Sequence, residues 1–227
     1  MPTSKNNGSN RRFYDIAFDE VTHTYLVDGK EVPSVTEILT PLHKSYGAIN
    51  QSVLEYAANR GRAVHEALEM YDLGGELEVV LETSPYIQAY LDWCDVYRPR
   101  WMGVEQIVYN NANGYIGTLD RIGSLNGTEF AVVDIKTSQP TKASLVSVCC
   151  QTAAYAMAYT EQSGKPIKSA ENIKRYGLFL KADGTYRFLD CEDYENKYGF
   201  SGVLTFFNLL TIHRMITQIL ETKGKKK

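Results

Sequence analysis

Several features are missing from this sequence, and each absence narrows the field. None of its 4 cysteines forms a Cys-x-x-Cys pair, and Cys149 and Cys150 are chain neighbours that could bridge only in strained geometry. Cys94, Cys149, Cys150 and Cys191 therefore read as reduced thiols, which places the protein in the cytoplasm. No early stretch joins basic residues to an apolar run, so a secretory signal is not expected. The most apolar segment, 203–220, is interrupted by Asn208, His213, Arg214 and Gln218, and reads as an amphipathic packing helix, not a membrane span. An excess of one charge is also absent. Lys+Arg number 24 against 27 Asp+Glu, a formal net charge of -3, which excludes a coat of nucleic acid held by bulk charge but allows a local basic groove.

What is present suits a globular enzyme-sized chain. Its 227 residues, 44% of them hydrophobic, can bury a core without disulfide or metal staples, and its 16 tyrosines suit binding surfaces. Residues 1–12 are polar and read as a disordered leader, 13–222 as one domain, and 223–227 as a solvated basic tail. Residues 13–32 predict a β-hairpin with Asp28-Gly29 in its turn, and Ser34 to Glu37 a capping box opening a short helix. Helical period covers 50–71, with Leu54, Ala57, Ala58, Val64 and Leu68 as its buried stripe. A further helix opens at Ser84-Pro85, and its tyrosines 86, 90 and 97 are assigned to the core. Strand-like runs follow at 104–109, 115–123 and 130–136. A long helix over 143–162, a hairpin over 176–189 turning at Asp183-Gly184, and a last helix over 194–222 complete an α/β chain with a central antiparallel meander.

Two carboxylates on the meander carry the chemistry. Asp120 lies in YIGTLDRIG, and Asp134 in AVVDIKTS with Lys136 two residues on. Period-two alternation puts Asp134 and Lys136 on one face and Ile135 on the other. Carboxylates on adjacent strands can hold a hard cation such as Mg²⁺ or Mn²⁺, which activates water against a phosphodiester while the lysine steadies charge at phosphorus. Acid-x-Lys alone is a poor signal, since Asp28-Gly29-Lys30, Glu195-Asn196-Lys197 and Glu221-Thr222-Lys223 also match it and read as solvated surface pairs. Asp134 differs in following the apolar run AVV, where a stray buried charge is costly unless paired or ligated. Gly61, His65 and Glu69 recur every four residues on one helix face, so His65 either completes a metal site or is satisfied by Glu69. Gln151 and Tyr155 are likewise one turn apart, among alanines that let their helix pack closely on a sheet.

The same chemistry dictates a register. A two-residue turn at Asn126-Gly127 would pair residues whose numbers sum to 253 and send Asp120 and Asp134 to opposite faces. Shared ligation requires an even sum of 254, and hence a loop with an odd number of residues, or a bulge.

The order Gly61-x-x-x-His65, Gly117-x-x-Asp120, Asp134-x-Lys136 and Gln151-x-x-x-Tyr155 resembles the RecB-like branch of the PD-(D/E)XK nuclease superfamily. HTYLVDGKEVPSVTEIL, GRAVHEALE, VVDIKTS and QTAAYAMAY are similar to the group of mitochondrial genome maintenance exonucleases and their phage-encoded relatives, over roughly 22–189. The resemblance implies a restriction-endonuclease-like core, a central mixed sheet with an antiparallel meander flanked by helices. It implies metal ligation by His65, Asp120, Asp134 and the Ile135 carbonyl, with Lys136 catalytic. Gln151 and Tyr155 would support the site and the DNA, Ser34 would face phosphates, and Thr137 and Glu69 join the supporting set. Mg²⁺ or Mn²⁺ is the implied cofactor. The cysteines lack the one-early, three-late arrangement of related iron–sulfur enzymes, so no iron–sulfur cluster is expected. No mitochondrial presequence is evident, which points to a bacterial or phage protein acting in DNA recombination, repair or replication, without a membrane.

The implied activity is a metal-dependent exonuclease on DNA ends, single-stranded by preference. A phage single-strand annealing or binding protein is a further partner that this setting admits. The alternatives are a phage recombination exonuclease resecting double-stranded ends, a structure-specific endonuclease, and an inactive nucleic-acid-binding module. Lys165, Lys168, Lys174, Arg175 and Lys181 against Glu171 alone form a candidate phosphate track.

Overall fold

A computed structural model describes residues 14–19, 22, 24–43, 51–76 and 81–224. The expected leader, the last three lysines of the basic tail and the expected helix start at Asn50 lie outside the described residues.

Two sheets form. Strands β1 (Ile16–Asp19), β2 (Thr24–Val27) and β3 (Lys30–Val32) make a small antiparallel sheet, with Asp28 and Gly29 at positive φ in the β2–β3 turn. Helix α1 (Val35–Ile38) follows, capped by the Ser34 side chain, which accepts from the Glu37 N–H at 3.0 Å; the reciprocal half of the expected box is not made. Helix α2 (Thr40–His43) leads toward α3 (Gln51–Asp72) and α4 (Ser84–Tyr97). The main sheet then runs β4 (Arg100–Asn110), β5 (Tyr115–Leu125), β6 (Glu129–Lys136), β7 (Lys174–Leu180) and β8 (Tyr186–Asp190), in that spatial order. Helix α5 (Lys142–Gln162) crosses over between β6 and β7, which are therefore parallel, while the other neighbours are antiparallel. Helices α6 (Cys191–Tyr198) and α7 (Gly202–Gly224) close the chain. The result is α/β, with a mixed five-stranded sheet between helical layers.

The β6 sequence AVVDIK explains the layering. Ala131, Val133 and Ile135 face α3 and α4 and join Val64, Leu68, Tyr86, Tyr90 and Trp93 in one core. Val132 faces the other way, into a core with Leu119 and Ile122 of β5, Ala154 and Tyr155 of α5 and Phe206 of α7. Burying these runs supplies the main drive for assembly, at roughly 25 cal/mol per Å² of apolar surface. Asp134 therefore enters a fully buried layer because its neighbours require it.

The hairpin between β5 and β6 has the register the chemistry requires. Its pairs run Leu125–Glu129, Ser124–Phe130, Gly123–Ala131, Ile122–Val132 and Arg121–Val133, each summing to 254. Asn126, Gly127 and Thr128 form a three-residue loop, with Asn126 at φ 49° and Gly127 at φ 77°. The ladder carries Asp120 level with Asp134.

Four expectations need correction. The N-terminal half of α3 runs beyond the core, so Leu54 is 49% exposed and Ala58 is exposed, while Val64 and Leu68 are buried as expected. The cap of α4 is Thr83, which moves Pro85 from the first to the second helical position. The last helix is two helices, parted where Gly199 takes φ 67° and ends α6. Glu195 is not a surface residue; it is buried in an ion pair with Arg175. Helix α7 is, over Gly202–Leu220, long and apolar enough to cross a membrane by length and composition, and its Phe206 and Leu210 are buried in the core.

Candidate active site

The end of β6 carries a chain of polar contacts. Lys136 Nζ donates to Asp134 Oδ1 at 3.0 Å and to Gln151 Oε1 at 3.2 Å, and Gln151 Nε2 donates to the Tyr155 hydroxyl at 3.2 Å. Asp134 is fully buried, and its Oδ2 lies 2.8 Å from Lys136 Nζ yet accepts no well-aligned hydrogen bond. Burial pushes the Asp134 carboxyl up to about 6, against the opposing pull of Lys136. Burial disfavours the Lys136 ammonium, but Asp134 and Asp120 outweigh it and hold its pKa above the ordinary range. The Tyr155 phenol is raised well above its usual value by burial and then by Asp134 and Asp120, so it stays protonated. Gly117 makes room for this ring: a Cβ there would meet Tyr155 Cε1 at 2.9 Å.

Asp120 and His65 meet on the backbone between Asp134 and Lys136. Asp120 Oδ2 accepts from the Ile135 N–H at 2.6 Å, and His65 Nε2 lies 3.1 Å from the Ile135 carbonyl. A carbonyl only accepts, so Nε2 carries the proton in this arrangement. His65 Nδ1 lies 3.4 Å from Glu105 Oε1. Burial works against a charged His65, yet Asp120 and Glu105 outweigh it and raise its pKa. Two expected ligands, the imidazole and the Ile135 carbonyl, are thus bonded to each other, and the Nε2 proton must leave before both can face a cation.

Glu105 was not singled out in the sequence. It sits in β4 with φ 44°, an uncommon backbone for a residue with a Cβ, and its carboxylate meets His65 and Asp120. Ligand atoms of His65, Glu105 and Asp120 all lie within 4.8 Å of one another. The available signal was a charge inside the strand run GVEQIV, the same kind of signal that marked Asp134. Glu69, by contrast, makes no hydrogen bond to His65 among the described residues; Glu105 takes that place from 40 positions away.

The remaining candidates lie around this cluster. The Thr137 carbonyl accepts from Arg60 Nη2 at 3.4 Å, and Gly61 packs beneath the Thr137 side chain. Ser34 bridges to Ile116 and lines a groove of about 510 Å³ with Tyr25, Thr24, Thr36, Glu31 and Glu37. In the basic stretch 165–181 two of the five cations are taken up in ion pairs, while Lys165 and Lys168 are exposed. Lys174 pairs with Glu192, and Arg175 is buried against Glu195.

The family model of the PD-(D/E)XK nuclease superfamily matches residues 82–198, just over half of the chain. The chain belongs to this superfamily. The match contains Glu105, Asp120, Asp134, Lys136, Gln151 and Tyr155, while His65 and Ser34 lie before it. No curated protein matches the chain. Membership makes the fold restriction-endonuclease-like and the protein a nuclease, whose superfamily acts on nucleic acid with divalent metal ions. The residues present fit such an ion. Asp72, Glu105, Asp120 and Asp134 set four carboxylates against two cations, Arg121 and Lys136, with an imidazole beside them. That leaves negative charge in excess whether or not the imidazole is charged, and a buried Asp134 oxygen without an aligned donor.

Proposed function

We propose that the protein is a metal-dependent DNA exonuclease of the RecB-like branch, hydrolysing phosphodiester bonds from free ends and preferring single strands. His65, Asp120, Asp134 and the Ile135 carbonyl would hold Mg²⁺ or Mn²⁺, which polarises the phosphoryl group and lowers the pKa of an attacking water. Lys136, pinned between Asp134 and Gln151, presents its ammonium to the charge that develops at phosphorus. Gln151 fixes the lysine, and the protonated Tyr155 fixes Gln151. Ser34 and Thr137 would face the strand's phosphates. Bacterial or phage DNA recombination, repair or replication in the cytoplasm is the setting, with a phage single-strand annealing or binding protein as partner.

The observation that carries single-strand preference is the docking of the first sheet. Tyr25 and Val27 pack on Ile116, the Ile116 N–H donates to the Pro33 carbonyl at 3.1 Å, and the Tyr25 hydroxyl is 2.9 Å from Thr118 Oγ1. This lays a cover over β5 two residues before Asp120, a layout that favours a flexible strand over a rigid duplex. The groove beside it is lined by hydroxyls, suited to sugar and phosphate, and carries Glu31 and Glu37, so bulk charge does not drive binding there.

The test is digestion of end-labelled linear single strands, blunt duplex and closed single-stranded circles, with Mg²⁺, Mn²⁺ or chelator. Linear single strands should be digested fastest, circles should survive, and activity should fall steeply as salt rises. Circles cut as fast as linear strands would make the enzyme an endonuclease, and faster digestion of blunt duplex would make it a double-strand-end resecting exonuclease.

A further inference from the structure

We infer that Glu105, which lies outside the sequence motifs, is a further oxygen donor to the divalent cation, and that Arg121, clamped by Asp72, is the positioning residue that holds it there. The inference rests on the nuclease reading above. Arg121 is fully buried in β5 and ties three elements together. Its Nε donates to Asp72 Oδ2 at 2.6 Å, at the end of the helix that bears His65. Its Nη1 donates both to Glu105 Oε1 at 2.9 Å and to the Asp120 carbonyl at 2.8 Å. One guanidinium nitrogen thus fixes the carboxylate of Glu105 relative to the backbone of Asp120.

Charge separates this arrangement from a structural salt bridge. Asp72, whose side chain is 3% exposed, already balances the buried guanidinium. Glu105, 23% exposed, is a second carboxylate on the same cation, and its other ionisable neighbour is the His65 imidazole at 3.4 Å. Arg121 leaves its own buried Nη2 without a partner, so the guanidinium is not turned to maximise its own bonding. It is turned toward Glu105 and the Asp120 carbonyl. On Glu105, Oε1 takes both the Arg121 and the His65 contacts, while Oε2 accepts no hydrogen bond among the described residues. Fully buried Asp134, whose Oδ2 meets only the Lys136 ammonium and accepts no aligned hydrogen bond, adds a further carboxylate to the cluster.

The test is Mn²⁺ titration by calorimetry on the full chain, with a melting curve for each variant. Glu105→Gln should weaken Mn²⁺ binding about 10-fold or more while melting as the wild type does, and should do so in a His65→Gln background as well. A loss seen only while His65 is present would make Glu105 the partner that orients the imidazole and overturn the donor role. Arg121→Lys should weaken binding while Glu105 is present, and should add nothing in the Glu105→Gln background, because it acts through Glu105. If Arg121→Lys does not fold, Asp72→Asn loosens the same clamp and serves in the same cycle. Asp120→Asn is the control, expected to lose binding. Wild-type affinity in Glu105→Gln beside a lost site in Asp120→Asn overturns the inference and leaves the nuclease reading standing. Additive losses in the cycle overturn the positioning role. Wild-type affinity in Asp120→Asn overturns both the metal site and the inference built on it.

Discussion

Two buried arginines flank β6, and they do different work. Arg175 in β7 meets Glu195 through two hydrogen bonds of 2.7 and 3.1 Å and gives a third to the Cys149 carbonyl. One charge faces one charge, and nothing is left over. Arg121 in β5 faces Asp72 and Glu105 together, in a cluster where those two and Asp120 outnumber the cations even with His65 charged. A closed pair holds a fold together. A site that is to take up a cation must keep its charges unbalanced, and the surrounding core supplies the stability for that imbalance.

The contrast can be broken from either side. Glu195→Ala should leave Arg175 buried and unpaired and cost about 3–5 kcal/mol of stability in denaturant unfolding, with no change in Mn²⁺ affinity. A loss of metal affinity there would mean that the two arginines are not separate systems. If Lys136 serves the charge at phosphorus and is not a ligand, as proposed, Lys136→Ala should slow turnover by about 10²- to 10³-fold while calorimetry still detects metal.

Asp134 sharpens the comparison through pH. Its carboxyl is pushed up to about 6 by burial, so the folded chain binds this proton more tightly than the unfolded chain does. Its contribution to metal-free stability is therefore greatest below the ordinary carboxyl pKa and is lost as pH rises through about 6. Measured as wild type minus Asp134→Asn in chelator, stability should fall by at most about 3 kcal/mol between pH 4 and 7. A difference that rises with pH would place a stronger counter-ion on Asp134 than Lys136. The smallest effect belongs to the loop that fixes the register. Gly127→Ala should cost about 1 kcal/mol, because Gly127 sits at φ 77°, with cleavage unchanged.

The strands of the main sheet were legible because alternation and Asn/Gly turns mark them, and the three-residue loop followed from the need to bring Asp120 and Asp134 to one face. The break after Tyr198 is short, a three-residue gap between α6 and α7, and its signals are Gly199, which ends α6, and Ser201, whose hydroxyl accepts from the Leu204 N–H at the start of α7. Leu54 read as core because helical period records which residues share a face, not how far the neighbouring helix extends. Within the site, Asp120, Asp134, Lys136, Gln151 and Tyr155 share local motifs, and the structure draws them to the end of β6. Glu105 has no motif. Its partners His65 and Arg121 come from α3 and β5, so its place in the cluster exists only in three dimensions.

The most direct test of the account is cleavage of an end-labelled linear single strand by wild type and by Asp120→Asn, each shown to be folded by its melting curve. The account predicts cleavage by the wild type with Mg²⁺ or Mn²⁺, none with chelator, and none by the variant under any condition. Turnover by the wild type in chelator, or wild-type turnover by Asp120→Asn, would contradict it.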